Sequence, residues 1–203
     1  MYDLIVLGAG PGGYEAAARA GRMGKKTALI EKQYLGGTCL NVGCIPTKVF
    51  LKSSKLITDC KNGLTYGVRV ASAELDWAAL IERKNKVVAT LTQGVETLLK
   101  RSGVEIIRGE GKLINRNTIQ VGPETFSAKN ILIATGSRPA RPPIPGLDSA
   151  GVLDSNTIFE LSALPASLAI IGGGYIGLEF ACFFAAAGTR VTVLEMLPQI
   201  AAG

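Results

Sequence analysis

The chain has 203 residues, of which 47% are hydrophobic, 19% charged and 6% aromatic, with 25 Gly and 9 Pro. That apolar fraction excludes a disordered chain, and glycines without a fixed period exclude a collagen-like or low-complexity one. Twenty-two basic against 16 acidic residues leave a net charge of +6, but Lys and Arg are scattered among Asp and Glu with no basic-aromatic run, which reads as a solvated surface rather than a nucleic-acid face.

Tyr2 to Leu7 is a short apolar run, read as a strand; it lacks the basic flank and cleavage site of a signal peptide, so a cytoplasmic protein is expected. The run ends at Gly8-Ala9-Gly10-Pro11-Gly12-Gly13, and the Ala-rich stretch from Tyr14 to Met23 then reads as a helix stopped by Gly24. Thr27 to Ile30 makes a second buried strand ending on Glu31, which completes a βαβ unit of about thirty residues. In such a unit the first glycine permits the tight turn, the second lets backbone approach a pyrophosphate and the third lets helix and strand pack closely. Those parts fall to Gly8, Gly10 and Gly13, with backbone N–H groups and the helix dipole facing the anion. Glu31, 18 residues beyond Gly13, stands where an acid accepts hydrogen bonds from the ribose of an adenosine.

A polar loop runs to Thr38, and the chain is helix-like from Asn41 to Cys60. From Asp76 onward Trp77, Leu80, Ile81, Val87, Val88, Leu91, Val95, Leu98 and Leu99 repeat at helical spacing, a stripe expected to pack on a sheet. Val104 to Arg108 and Thr118 to Val121 read as strands around loops, and Asn130 to Ala134 as a buried strand ending at Thr135-Gly136. Proline-rich Arg138 to Gly146 cannot be helix or central strand and is the expected linker. Leu168 to Ile171 then leads into Gly172-Gly173-Gly174-Tyr175-Ile176-Gly177, an apolar helix to Ala187, and a strand from Arg190 to Leu194 ending on Glu195. The whole N-terminal pattern has recurred, with Glu195 again 18 residues beyond the third glycine, Gly177. A carboxylate there repels a 2′-phosphate and favours NAD over NADP. The expected fold is α/β, with two Rossmann-like dinucleotide-binding domains over residues 1–146 and 147–203, the second incomplete because no third strand follows. No stretch reaches the roughly 18 to 20 apolar residues of a membrane helix, so no membrane is expected as a partner.

Four Cys in a chain of this length make no disulfide scaffold, and closely spaced Cys in a reducing compartment point to redox or metal chemistry. His is absent, which excludes a self-contained Ser-His or Cys-His catalytic unit. Cys39 and Cys44, five apart, have no second Cys pair or His to complete four zinc ligands, and no metal site is expected. A regular helix would separate them by about 7.5 Å of rise, so a bridge requires a distorted turn, which Gly43 and Pro46 permit; spacing alone equally allows two buried reduced thiols. Cys60 and Cys182 read as ordinary buried residues.

The segment Gly36-Gly37-Thr38-Cys39-Leu40-Asn41-Val42-Gly43-Cys44-Ile45-Pro46-Thr47-Lys48 resembles the redox-disulfide signature of the FAD-dependent pyridine nucleotide-disulfide oxidoreductases, most closely that of their dihydrolipoamide-oxidising members. The similarity runs from the first glycine turn through Ile133-Ala134-Thr135-Gly136-Ser137 to the second. It implies that Gly8, Gly10, Pro11, Gly12, Gly13 and Glu31 bind the ADP half of FAD. It adds Lys32, Gly37, Thr38, Cys39, Lys48, Gly111, Thr135, Gly136 and Ser137 as further FAD contacts. Gly172, Gly174, Tyr175, Ile176, Gly177, Glu179 and Glu195 would bind NAD, with Tyr175 either gating the nicotinamide side of the flavin or simply packing. Cys39 would exchange with a dithiol substrate, Cys44 would face the flavin, and Lys48 would pair with Glu179.

The implied reaction is oxidation of a protein-bound dihydrolipoyl group through a Cys39–Cys44 disulfide and FAD, reducing NAD. The implied partners are the lipoyl domain of a 2-oxoacid dehydrogenase or glycine cleavage complex, and a second copy through a C-terminal domain that lies beyond Gly203 in the family. The chain by itself is accordingly expected to lack lipoamide turnover. Related reductases of glutathione or mercuric ion share the motif, and a nucleotide-binding module without turnover is the non-enzymatic alternative.

Overall fold

A computed structural model of the chain describes residues 1–202. They form two compact units, one of Met1–Cys44 with Val87–Ser149, the other of Ile45–Lys86 with the chain from Ala150 onward.

In chain order the elements are β1 (Tyr2–Leu7), α1 (Pro11–Arg22), β2 (Thr27–Glu31), α2 (Gly37–Val42), α3 (Cys44–Lys61), α4 (Trp77–Arg101), β3 (Val104–Arg108), β4 (Gly111–Asn115), β5 (Thr118–Val121), β6 (Glu124–Ile133), β7 (Ser167–Ile171), α5 (Tyr175–Ala187) and β8 (Arg190–Leu194), with 3-10 turns at Gly63–Tyr66 and Thr157–Glu160. The first unit is built on a six-stranded sheet of order β3-β2-β1-β6-β5-β4. β3, β2, β1 and the second half of β6 are parallel, with Ile5 opposite both Ala28 and Ile131. β6 continues backward into an antiparallel meander with β5 and β4. Thr27 to Ile30 are buried along the whole of β2, as expected of a parallel strand covered on both faces. Ile5, Ala28, Ile30, Ile119, Val121 and Ala128 form one cluster joining the parallel and antiparallel parts.

The second unit holds a parallel pair, β7 and β8, with Leu168 opposite Val191 and Ile170 opposite Val193. α5 crosses between them, and its Phe180, Phe183 and Phe184 are buried. These rings join Phe50 of α3, Trp77 of α4 and Phe159, with centroids 4.6 to 6.3 Å apart. The Trp77 indole N–H donates to the Leu161 carbonyl at 3.1 Å, so its one polar atom is paired. No helix is long and apolar enough to cross a membrane among the described residues.

The α/β class and the recurrence of strand, glycine turn, helix and strand are as expected. Four local expectations are corrected. The helix expected over 41–60 is two helices broken at Gly43, and α2 starts at Gly37 rather than in a loop running to Thr38. α1 starts at Pro11, since proline suits the first helical turn, where its missing N–H has no partner to lose. β4 fills part of what read as loop, and β6 begins at Glu124; both are largely solvent-facing strands whose order comes from the meander rather than from apolar patterning. Cys60 is half-buried and Cys182 exposed, because Phe183 and Phe184 take the covered side of α5. Leu80, Val95 and Leu99 of the α4 stripe are buried, while Leu91 is exposed.

Tyr2 at the start of β1 spans β2 to donate its hydroxyl proton to Glu105 Oε2 of β3 at 2.8 Å. Desolvation first, then the hydrogen bond to the Glu105 carboxylate and its charge, push the phenol up to about 12. Because the folded value lies above the ordinary 10.0, the stabilisation is complete below the unfolded value and is lost as pH rises through the folded one. At about pH 11 the 295 nm absorbance of wild type and Tyr2→Phe is therefore expected to match, since an ordinary phenol would already be ionised there; a difference of one phenolate would contradict this contact.

Candidate functional site

The first glycine turn is built by close backbone approach. Gly8 takes a φ of +103°, a conformation side chains disfavour, and its N–H donates to the Ile30 carbonyl at 2.8 Å. A Cβ on Gly13 would collide with the Gly8 carbonyl, and one on Gly8 with the Ala134 carbonyl at the end of β6. A Cβ on Gly10 or Gly12, by contrast, meets nothing within 4 Å, so this edge of α1 faces open space. No acidic side chain sits in the first turn of α1, and Arg19 and Arg22 lie in its last turn, which leaves the positive end of the helix free for an anion.

Glu31 closes the turn. Its Oε2 accepts the Ala9 N–H at 2.7 Å and its Oε1 the Gln33 N–H at 2.7 Å. Beside it Lys32 and Glu110 form an exposed ion pair at 2.8 Å, in which the hydrogen bond first and the opposite charge second favour each group's ionised form. A cavity of about 570 Å³ opens here, lined by Glu110, Gly111, Lys112, Gln120 and Gly122. Gly111 itself is packed tightly, since a Cβ there would come within 2.5 Å of Leu7 and 3.1 Å of Ile30 and Ile119. Thr135, Gly136 and Ser137 follow β6 beside the first glycine turn, where a Cβ on Gly8 would lie 3.1 Å from Thr135 Cα.

The cysteine segment docks on this turn through backbone. The Gly36 N–H donates to the Ala9 carbonyl at 2.9 Å, and Gly37 approaches so closely that a Cβ would stand 2.6 Å from Gly10 Cα. Cys39 on α2 and Cys44 at the start of α3 are joined by a disulfide with their Cα atoms 4.6 Å apart. The break at Gly43 permits this, because a Cβ there would meet the Thr38 carbonyl at 2.9 Å and Cys39 Cα at 3.2 Å. The distorted turn that a bridge requires is present, and the two-free-thiols alternative is overturned.

In the second unit the turn's backbone hydrogen bonds are repeated, although a Cβ on its first glycine, Gly172, meets nothing within 4 Å. Gly172 has a φ of +103° and donates its N–H to the Leu194 carbonyl at 2.8 Å. A Cβ on Gly177 would collide with the Gly172 carbonyl, while one on Gly174 meets nothing. Glu195 accepts the Gly173 N–H at 2.6 Å and the Leu197 N–H at 2.8 Å. The N–H of Leu197 first, then that of Gly173, hold the Glu195 carboxyl below the ordinary carboxylate range, so it is charged at neutral pH. Tyr175 and Ile176 are exposed at the start of α5. Lys48 of α3 and Glu179 of α5 form an ion pair.

Sequence reading missed the contacts of Asn41. Its Nδ2 donates to the carbonyls of Leu35 at 2.8 Å and Gly37 at 2.9 Å, and its Oδ1 accepts from Thr92 of α4 at 3.3 Å. The available signal was a lone amide between Leu40 and Val42.

A parallel βαβ sheet whose glycine turn is closed by an acid, with a disulfide docked on that turn, defines a dinucleotide-binding protein with a redox disulfide. The family model described as pyridine nucleotide-disulphide oxidoreductase matches residues 2–203, and the chain belongs to that family. It is 45% identical over 204 residues to the dihydrolipoyl dehydrogenase of Mycoplasma genitalium, covering 98% of this chain and 45% of that relative. To the dihydrolipoyl dehydrogenase of Acholeplasma laidlawii it is 44% identical, covering 98% of this chain and 61% of the relative. Among solved structures, the HOCl-induced flavoprotein disulfide reductase RclA from Escherichia coli is similar with a TM-score of 0.85 at 34% identity, over 98% of this chain and 43% of that one. The chain thus spans about half the length of the relatives it matches.

The Cβ environments separate two adjacent glycines. Gly13→Ala is expected to lower stability by about 1 to 3 kcal/mol through the clash with the Gly8 carbonyl, whereas Gly12→Ala, in open space, should stay within about 0.5 kcal/mol of wild type. Urea unfolding of the two variants side by side checks this.

Proposed function

We propose that the chain is the nucleotide-binding and dithiol-exchanging part of a cytoplasmic dihydrolipoyl dehydrogenase, and that residues 1–146 hold FAD while those from 147 onward begin an NAD domain. The observation that carries the reading is the Cys39–Cys44 disulfide docked by Gly36 and Gly37 on the first glycine turn. The residues fit the cofactors: open backbone at Gly10, Gly12 and Gly174 leaves room for phosphates, and Glu31 and Glu195 stand as ribose acceptors beside each turn.

Gly8, Gly10, Pro11, Gly12 and Gly13 would receive the pyrophosphate of FAD, Glu31 and Lys32 its adenosine end, and Thr38, Cys39, Lys48 and Thr135 to Ser137 its flavin half. Gly172, Gly174, Tyr175, Ile176, Gly177 and Glu195 would receive NAD, the charged Glu195 disfavouring a 2′-phosphate. Bound FAD supplies a two-electron acceptor for a thiolate and a hydride donor for nicotinamide, chemistry cysteine alone lacks.

The chain's own step is thiol-disulfide exchange. A thiolate of the dihydrolipoyl group attacks Cys39 Sγ, the Cys39–Cys44 bond breaks, and its electron pair leaves on Cys44 Sγ. The second substrate thiol, after losing its proton, attacks the mixed disulfide and releases Cys39 as a thiolate that takes up a proton. The substrate leaves as the cyclic disulfide, and its two electrons remain on Cys39 and Cys44. Lys48 lies one helical turn beyond Cys44 on α3, and a cation near a helix start favours thiolate over thiol. Its ion pair with Glu179 orients the ammonium group. The lipoyl partner, the homodimer and turnover belong to the longer protein that the relatives represent.

Anaerobic dihydrolipoamide is expected to open the bridge, so that two maleimide adducts appear at Cys39 and Cys44 by mass spectrometry, while Cys39→Ser shows no such reduction. Reduction by glutathione at equal thiol concentration but not by dihydrolipoamide would overturn the substrate. Glu195→Ala should weaken NADH binding about tenfold, in the range of one charged hydrogen bond, and narrow the preference over NADPH; titration of the purified chain with each nucleotide reads this directly.

A further inference from the structure

We infer that Asn41 is a positioning residue that holds the Cys39–Cys44 pair in its bridged geometry and so sets how readily the disulfide is reduced. The inference rests on the reading of this pair as the redox centre. It begins from what holds the two cysteines close. Gly43 gives the turn between them wide backbone freedom, and Pro46, which would clash with the Val42 carbonyl in a continuous helix, keeps the break open without fixing the distance between the cysteines. A regular helix separates residues five apart by about 7.5 Å of rise, whereas the bridged Cα atoms stand 4.6 Å apart. Opening the bridge removes the covalent restraint on that distance and frees the turn to separate the two thiols.

Asn41 supplies a non-covalent one. It lies between the two cysteines, and both hydrogens of its amide are used, on the carbonyls of Leu35 and Gly37. The Leu35 side chain is fully buried. Gly36 is tied to Ala9, and Gly37 abuts Gly10, so these acceptors belong to backbone anchored on the sheet's first turn. The amide oxygen takes the Thr92 hydroxyl from α4, a contact 51 residues away in sequence. The half-buried Asn41 thus links the cysteine turn to the glycine turn on one side and to α4 on the other.

The sign follows from linkage. Contacts that favour the bridged geometry raise the effective concentration of one thiol at the other, so removing them makes the disulfide easier to reduce. Two glutathione molecules give up two electrons and two protons, their sulfurs join, and the Cys39–Cys44 bond is replaced by two thiols. Any change in this equilibrium constant equals the difference between what Asn41 contributes to the bridged and to the reduced chain. A residue supporting the fold equally in both states leaves the constant unmoved.

The test equilibrates the full chain with defined ratios of reduced and oxidised glutathione under argon and counts free Cys39 and Cys44 by maleimide mass tagging. Asn41→Ala is expected to shift the constant toward the dithiol about tenfold, roughly 30 mV. Thr92→Val, which keeps both amide donor bonds, should shift it the same way by about twofold to threefold. Correspondingly, Asn41→Ala should lower the melting temperature of the oxidised chain more than that of the reduced chain. A folded Asn41→Ala chain with an unchanged constant overturns the proposal. If that variant does not fold, Thr92→Val decides, and a wild-type constant overturns it. Failure of dihydrolipoamide to open the bridge while these shifts persist would instead sink the substrate reading and leave Asn41 standing.

Discussion

The first unit depends on the approach of the Gly13 backbone to the carbonyl of Gly8, a spacing that no side chain allows. That contact sets the angle at which α1 leaves β1, and therefore where the helix's unpaired N–H groups point. Ala134 at the end of β6 completes the same packing, since it also touches the space a Cβ on Gly8 or Gly13 would need. Glu31 then locks the turn from the neighbouring strand by accepting the Ala9 N–H. A small defect at any of these points would displace the cysteine loop as well, because Gly36 and Gly37 dock on Ala9 and Gly10.

The disulfide sits at a break between two helices. Pro46 disfavours a continuous helix, and the missing side chain at Gly43 is what lets the chain pass the Thr38 carbonyl and Cys39 Cα. The bridge, the amide of Asn41 and the hydroxyl of Thr92 all act on this one turn.

The two glycine turns share a φ of +103° at their first glycine, the same carbonyl partner at the end of the following strand and the same acid closing the loop. Aromatic rings pack the second unit beside its turn: Phe50, Trp77, Phe159, Phe180, Phe183 and Phe184. The turn's geometry is thus local, defined by glycine spacing and one carboxylate.

Glycine spacing, apolar runs and the acid at each strand end made both nucleotide turns legible from sequence, because these are constraints between residues close in the chain. The cysteine segment was legible as a redox signature through its resemblance to a family, and from spacing alone only as a bridge that a distorted turn would permit. The break of the 41–60 helix had a local signal in Gly43 and Pro46, whereas the strand at Gly111–Asn115 and the exposure of Cys182 were not legible. These depend on a partner distant in sequence and on which helix face is covered. The sequence by itself determined where backbone approaches backbone, since only glycine permits it. The tertiary structure alone decided that Asn41 reaches Leu35 and Thr92 and that the cysteine turn is anchored on the first glycine turn, because those contacts bring together groups whose approach is set only after folding.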